Sequence, residues 1–262
     1  MRPSLWIGGG VLLALLAVAV LAPVLAPGDP LAMVGRPLLL PFHDAQHPLG
    51  TDRLGRDLLA GLIHGARTSV TVGLATALVA ITAGMVVGTA AGFAGGLVDE
   101  ALMRVVEAFQ IVPGFLLALA FVSVAGPSLP MVVLAIALGA WTAPARLARA
   151  RVLALREAEF VAAARVLGVH PVRIAAVQVL PLALPPVLAL TAVIVAGAVL
   201  TEAALSFLGL GDPNAVTWGG MIAEGRNQLR SAPWLSLIPG LALVATVIST
   251  YLLGEALTER RR

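Results

Sequence analysis

Few residues in this chain combine a reactive type with a suggestive position. Glu202 is the one carboxylate set well inside an apolar block, in Val-Leu-Thr-Glu-Ala-Ala-Leu. Ionisable groups at such positions are functional hypotheses by default. A bound amine, an internal arginine partner or closeness to the outer end of the block would each account for it. A structural or interfacial role is the simplest reading, and a place on a ligand's path is the alternative. His43 and His47 stand four apart with Asp44 between them, a spacing that would put two imidazoles on one helix face as metal ligands. Pro41 and Pro48 argue against a helix there, so the pair reads as a solvated loop and no metal site is expected. Asp52, Arg53, Arg56 and Asp57 crowd a single polar turn, which reads as a structural turn or a contact for a partner protein.

What is missing narrows the chemistry further. There is no cysteine, which excludes disulfides, thiol nucleophiles and Cys-based metal sites. All 17 basic residues are arginine. A P-loop needs its lysine on the β/γ-phosphates, so no Walker A motif exists here, and lysine Schiff-base chemistry is equally excluded. Gly-x-Ser-x-Gly and His-Glu-x-x-His are also absent. No catalytic residue and no bound cofactor are therefore expected, and a membrane enzyme is the weakest class.

The elements that must position these residues are membrane helices. Apolar residues make up 59% of the 262 positions and charged residues 12%, about half the charged share of an ordinary soluble domain. They lie in blocks of about 20, the length that crosses a hydrocarbon core of roughly 30 Å as helix. Lipid offers no partner for backbone N–H and C=O groups, and the short alternating strands of a barrel are absent, so the blocks read as helices. The net charge of +3 rests on arginines clustered in loops, which membrane topology explains better than nucleic-acid binding.

Six blocks are expected. The first covers about residues 5–26; it is longer than the apolar core of a signal peptide and reads as an anchor helix. A polar, Pro/Gly-punctuated stretch follows over 27–67. The second block covers about 68–93 and the third about 105–125, interrupted by Pro113-Gly114. The fourth covers 129–145, the fifth 177–208 with Pro181, Pro185 and Pro186, and the last 235–253. This divides the chain into an anchor helix with external loop (1–67) and a core of five spans (68–262). Trp6 and Trp234 sit near span ends as interfacial anchors.

With the N-terminus inside, six arginines fall outside: Arg36, Arg53, Arg56, Arg67, Arg226 and Arg230. The other eleven fall inside, at Arg2, Arg104, along 146–176 and in the final Arg260-Arg261-Arg262. Positive-inside thus favours both termini in the cytoplasm. Gly84, Gly88, Gly92 and Gly96 recur every four residues, predicting a helix–helix seam of close backbone approach. Within 146–176, residues 157–167 favour a helix with Glu157 and Glu159 at its dipole-matched start and Gly168 as its left-handed stop. Pro171 suits the first turn of a second helix. The result is a helix–turn–helix on the inner face, whose small-residue side reads either as a docking surface or as a plain topogenic loop.

The stretch Glu159-Phe-Val-Ala-Ala-Ala-Arg-Val-Leu-Gly168, continuing to Val179-Leu180-Pro181, resembles the EAA loop of binding-protein-dependent ABC importer permeases. Ala163, Ala164, Gly168, Leu180 and Pro181 fall in register with the family pattern; Ala162 stands where the family has Glu, and Gln178 where it has an apolar residue. Four further stretches are similar to the second-subunit permeases of the dipeptide/oligopeptide/nickel group. They are His47-Pro-Leu-Gly-Thr-Asp-Arg-Leu-Gly-Arg-Asp57 with Gly65-Ala-Arg-Thr-Ser69, Gly95-Gly-Leu-Val-Asp-Glu-Ala-Leu-Met-Arg104, Leu205-Ser-Phe-Leu-Gly-Leu-Gly211 and Trp218-Gly-Gly-Met-Ile-Ala-Glu-Gly-Arg226.

The resemblance covers nearly the whole chain. It implies an all-α integral membrane protein with six transmembrane helices in the type I ABC importer permease (MetI-like) fold, in a prokaryotic inner membrane. It implies a heterodimer with a homologous permease, two cytoplasmic ABC ATPases that hold the ATP and Mg, and an external solute-binding protein. The EAA-like loop (146–181) would couple to the ATPase through Glu159, Ala163, Ala164, Arg165, Gly168, Leu180 and Pro181, with residues about 157–171 as the coupling helix. The solute stays open among dipeptide, oligopeptide, glutathione and nickel complex. A single-chain secondary transporter or channel, independent of ATP, is the alternative class, and would carry polar residues in several spans.

Overall fold

The structure is a computed structural model that describes the backbone of residues 3–259 and the side chains of residues 8–254. Arg2 and Arg260–262, to which a topogenic role was assigned above, lie outside those described residues, and the side chain of Trp6, expected as an anchor, lies outside the described side chains. The architecture is all-helical. Helix α1 (Pro3–Leu25) is 23 residues long, about 34 Å, enough to cross a bilayer. It packs on the last helix, α12 (Trp234–Glu259), where Gly8 faces Ser249 and Leu252.

Helix α2 (Leu58–Ala94) begins ten residues before the expected block. The polar His64 and Arg67 mask this start in a hydropathy reading, but Asp57 fixes it by accepting from the Leu59 N–H at 2.8 Å. His64 itself is bonded to the carbonyl of Ala26 at 2.9 Å, tying the start of α2 to the end of α1. At 37 residues, α2 is about 55 Å long and overshoots the bilayer.

The next two spans are broken. Helices α3 (Gly96–Ile111) and α4 (Gly114–Ala125) meet at a bend of 85°. Val112 is extended ahead of Pro113, as the proline ring requires, and this ends α3. Helices α5 (Leu129–Ala140) and α6 (Thr142–Arg156) bend by 46° at Trp141. Among the described residues, four helical stretches are long and apolar enough to cross a membrane, namely Gly8–Leu25, Leu58–Ala94, Pro171–Leu188 and Trp234–Gly254; counting each bent pair as one span brings the number to six.

Residues 146–156 are not part of a charged loop, as the sequence reading had them. They continue α6, and two of their arginines, Arg149 and Arg156, are used in packing. The Arg149 guanidinium grips both oxygens of Asp99 at 2.5 and 2.6 Å, and Arg156 donates to the carbonyl of Gly92 at 3.0 Å. Only from Glu157 does the chain turn, into α7 (Glu159–Val166). Gly168, at φ +72°, closes α7 in a Schellman arrangement: its N–H bonds to the Arg165 carbonyl and that of Val169 to the Ala164 carbonyl, both at 3.0 Å.

Pro171 then opens a short turn, α8 (Pro171–Arg173), leading through a π-helical stretch (Ile174–Val179) into α9 (Leu180–Leu188). After the two-residue turn at Ala189 and Leu190 comes α10 (Thr191–Phe207), so the expected fifth block is two helices. A short helix, α11 (Trp218–Gly225), precedes α12.

The expected glycine seam exists for three of its four members. Side chains added at Gly84, Gly88 and Gly92 would run into α6, against Pro144, Ala145, Ala148, Arg149 and Val152. Gly96 does not belong to it. It opens α3 at φ +53°, and the space where a Cβ would sit is empty. Replacing Gly88 by leucine is therefore expected to cost several kcal/mol, beyond the roughly 1–3 kcal/mol usual for overpacking, because backbone rather than a side-chain tip stands in the way. Gly96→Ala should cost only about 1–2 kcal/mol of left-handed strain. The yield and thermal unfolding of the two variants in detergent check this; equal losses would remove the seam from its place.

Candidate functional site

The residues on and around α7 separate into two sets. Val161 and Ala164 on α7 are buried in a cluster with Ile81, Met85, Val152, Ile174 and Val187, so α7 is anchored to α2, α6 and α9. Leu180 packs on the same cluster, and the Arg165 guanidinium lies 5.9 Å above the ring of Phe93. Glu159, Ala163, Gly168 and Pro181 face outward instead. The coupling residues expected from the EAA resemblance thus share one locality but not one face.

Sequence reasoning missed the most exposed members of this surface. Val166 and Leu167, at the tip of α7, are 88% and 81% exposed, with Val172 and Phe160 beside them. Their exposure, rather than their type, is the signal, and only the position of the α7 axis supplies it. Gln178, which departs from the family's apolar position, lies in the π-helical stretch with its amide oxygen buried and without a hydrogen-bond partner.

Glu202 lies on α10 and is 2% exposed. The Ser206 hydroxyl donates to one carboxyl oxygen at 2.6 Å, and the Thr217 hydroxyl lies 3.3 Å from that of Ser206. Thr217 also caps α11, accepting from the Gly220 N–H at 3.0 Å. The second carboxyl oxygen is buried without a protein partner. No ion pair reaches Glu202 among the described residues, which removes the arginine-partner reading. What the group visibly does is fasten the end of α10 to the start of α11.

The outer polar turn is structural in its geometry. One oxygen of Asp52 accepts from the backbone N–H groups of Leu54 and Arg56 at 2.7 and 2.9 Å, Asp57 caps α2, and Arg56 reaches Glu224 at 3.4 Å. With Ser206 and Thr217, residues Asp52, Arg56, Asp57 and Glu224 border a cavity of about 490 Å³. His43 is exposed, whereas His47 is buried with its Nδ1 3.5 Å from Asp57, so the two histidines have separate surroundings. Trp234 is half-buried, and its ring packs on the cluster of Leu58, Ala232 and Leu235. The tryptophan that does join elements is Trp218, fully buried, donating to the Leu62 carbonyl at 3.0 Å.

A family model described as "Binding-protein-dependent transport system inner membrane component" matches residues 80–262. The chain belongs to this family. The permease is 38% identical over 96% of its length to the di/tripeptide transport system permease protein DppC of Pseudomonas aeruginosa, covering 86% of that protein. It is 39% identical over 94% of its length to the nickel transport system permease protein NikC of Escherichia coli K12, covering 91%. A probable peptide ABC transporter permease, y4tQ of Sinorhizobium fredii, is 40% identical over 98% of the chain and 88% of that protein.

In fold, the permease superposes with a TM-score of 0.59 on a chain of the MetNI methionine ABC transporter in an inward-facing conformation. That match covers 78% of the permease and 98% of the other chain at 17% identity. The all-helical membrane architecture expected from the sequence is thereby established, with the MetI-like type I importer fold. The permease is a multi-pass inner-membrane component of an ABC transporter and not itself the ATPase.

Because the Ser206 hydroxyl is the protein donor to Glu202, Ser206→Ala should destabilise the permease by about 1–3 kcal/mol, and Glu202→Gln by less. Thermal unfolding of the two variants against wild type measures this. A silent Ser206→Ala would take the fastening role away from the pair.

Proposed function

We propose that this permease forms half of a peptide pathway with a homologous permease and is driven through α7, seated in a cleft of a cytoplasmic ATPase. The observation that carries the reading is the tip of α7, where Val166 and Leu167 stand exposed, as does Val172 on α8 just beyond the Gly168 turn, while α7 is otherwise anchored in the core. Apolar side chains held out on a short rigid helix suit burial by a partner. Their backing matters equally. Val161, Ala164 and Leu180 bind α7 to the α6 and α9 cluster, so a push on the tip is transmitted to the spans rather than absorbed by a loop.

The roles divide accordingly. The outward-facing Glu159, Ala163, Gly168 and Pro181 belong to the docking side, and Ala164, Arg165 and Leu180 to the attachment that carries force into the membrane. Binding of ATP between the ATPase subunits would bias a bistable bundle between inward-open and outward-open arrangements. Glu202 is assigned to holding the outer segment against α10, with solute contact as the alternative. The arginine distribution supports both termini in the cytoplasm, and the N-terminal residues 1–57 are taken as an anchor and external loop added to a core that opens with α2 at Leu58, ten residues before the boundary expected from the sequence. Relatives named for di/tripeptide and peptide transport support peptides as the solute, delivered by an external binding protein.

Gly168 is the point to test. Space around it is open, so a side chain there meets no clash, but its φ of +72° disfavours a β-branched residue. Gly168→Val is expected to leave membrane insertion intact, to retain ATP hydrolysis by the co-purified complex and to abolish most uptake of a labelled dipeptide into proteoliposomes. Wild-type uptake by that variant would refute the coupling role. Uptake by the isolated permease without ATP would refute the importer reading altogether.

A further inference from the structure

The α4–α5 hairpin is too short for the membrane it enters. Each helix has 12 residues, about 18 Å, against a hydrocarbon core of roughly 30 Å. The hairpin tip lies beside the α10–α11 loop, where the Leu129 N–H donates to Asp212 at 3.1 Å, on the side that the arginine distribution assigns to the outside. Counted from that tip, both helices end well short of the inner boundary, and they end together. The two break points touch, since a Cβ on Gly139 would lie 3.0 Å from the Cα of Gly114.

Around this double break the backbone is irregular, and residues 110–116 are exposed, with Ile111 at 81%. Lipid does not tolerate exposed irregular backbone at such depth; it is found where it lines water or is covered by protein. A cation sits on the same surface. Arg146, five residues past Trp141, adds less than about 8 Å of helix and so remains within the bilayer's thickness. It is exposed and donates to the Gln110 side-chain oxygen at 3.3 Å. No carboxylate pairs with it among the described residues. Glu107, one turn before Gln110, is held by Arg104 at 3.4 Å. An unpaired arginine inside a bilayer marks a water-filled path rather than a lipid face.

We propose that the surface around the Val112-Pro113-Gly114 break lines the aqueous solute path, and that Arg146, oriented by Gln110, binds an anionic group of the passing solute, a carboxylate. A guanidinium presents a planar fork of donors that matches a carboxylate, and one of its edges is already positioned by the amide. This assignment rests on the permease reading above and adds to it a place and a charge preference on this chain.

The absence of cysteine makes the path directly testable. Ile111→Cys is placed in the complete transporter, assembled with its partner subunits in proteoliposomes. The rates of labelling of this chain are then measured with an anionic reagent, sulfonatoethyl methanethiosulfonate, and a cationic one, trimethylammonioethyl methanethiosulfonate. Each rate is normalised to that with a free thiol in solution. Both reagents should react, the anion about fivefold faster, as expected for one uncompensated charge nearby. Adding Arg146→Gln should bring the ratio to about one, and Arg146→Lys should restore it. Leu13→Cys, exposed on the outer surface of α1, should react with neither.

Two results would overturn the proposal. One is an unreactive Ile111→Cys in a transporter that still performs ATP-driven uptake, which would mean lipid or a partner seals this face. The other is a ratio that ignores the residue at 146. A wild-type complex without ATP-driven uptake would instead overturn the permease reading beneath it.

Discussion

The contact on which the rest of the permease depends is the glycine seam between α2 and α6. Three glycines one turn apart let α6 lie directly on the backbone of α2, so Gly88 and Gly92 sit against Ala145, Ala148, Arg149 and Val152. In a bilayer there is little hydrophobic gain in bringing two helices together, and close van der Waals packing takes its place. The seam then sets everything on the inner side. It brings Arg149 to Asp99 and Arg156 to the Gly92 carbonyl, which fixes the turn from α2 into α3. It also creates the pocket of Ile81, Met85, Ala148 and Val152 that receives Val161 and Ala164 of α7.

A fixed inner half and a broken middle suit an alternating device. Packed cores switch between discrete arrangements rather than deforming continuously, so motion is confined to where helices are already interrupted. The permease carries such interruptions at Pro113, Trp141 and Ala189-Leu190, and a π-helical stretch just before α9. The outer side is held by other means. Glu202, Ser206 and Thr217 join α10 to α11, while Arg56 and Glu224 join the loop before α2 to α11.

Much of the fold was legible because the membrane restricts the options. Apolar blocks could only be helices, Pro113-Gly114 and Gly168 could only be a break and a cap, and the glycine period marked a face. Errors arose where tertiary contacts override local composition. Residues 146–156 looked like a loop by charge, yet Asp99, 50 residues before Arg149, and the Gly92 carbonyl give Arg149 and Arg156 partners and let the helix continue. Leu58–Arg67 looked polar, yet Asp57 and the Ala26 carbonyl make it the first three turns of α2. Gly96 kept the period of four but fell past the end of the helix, where period has no meaning.

The sequence by itself determined the class of protein: a helical membrane component without a nucleotide-binding lysine, with a small-residue helix ended by glycine. Those properties are local, set by composition and by which backbone conformations each residue permits. Only the tertiary structure decided which side of α7 is anchored and which is free, that Glu202 answers to hydroxyls rather than to an arginine, and that the two broken spans break side by side. Each depends on groups far apart in the chain, whose meeting is fixed by the packing of whole helices and leaves no mark in the spacing of residues.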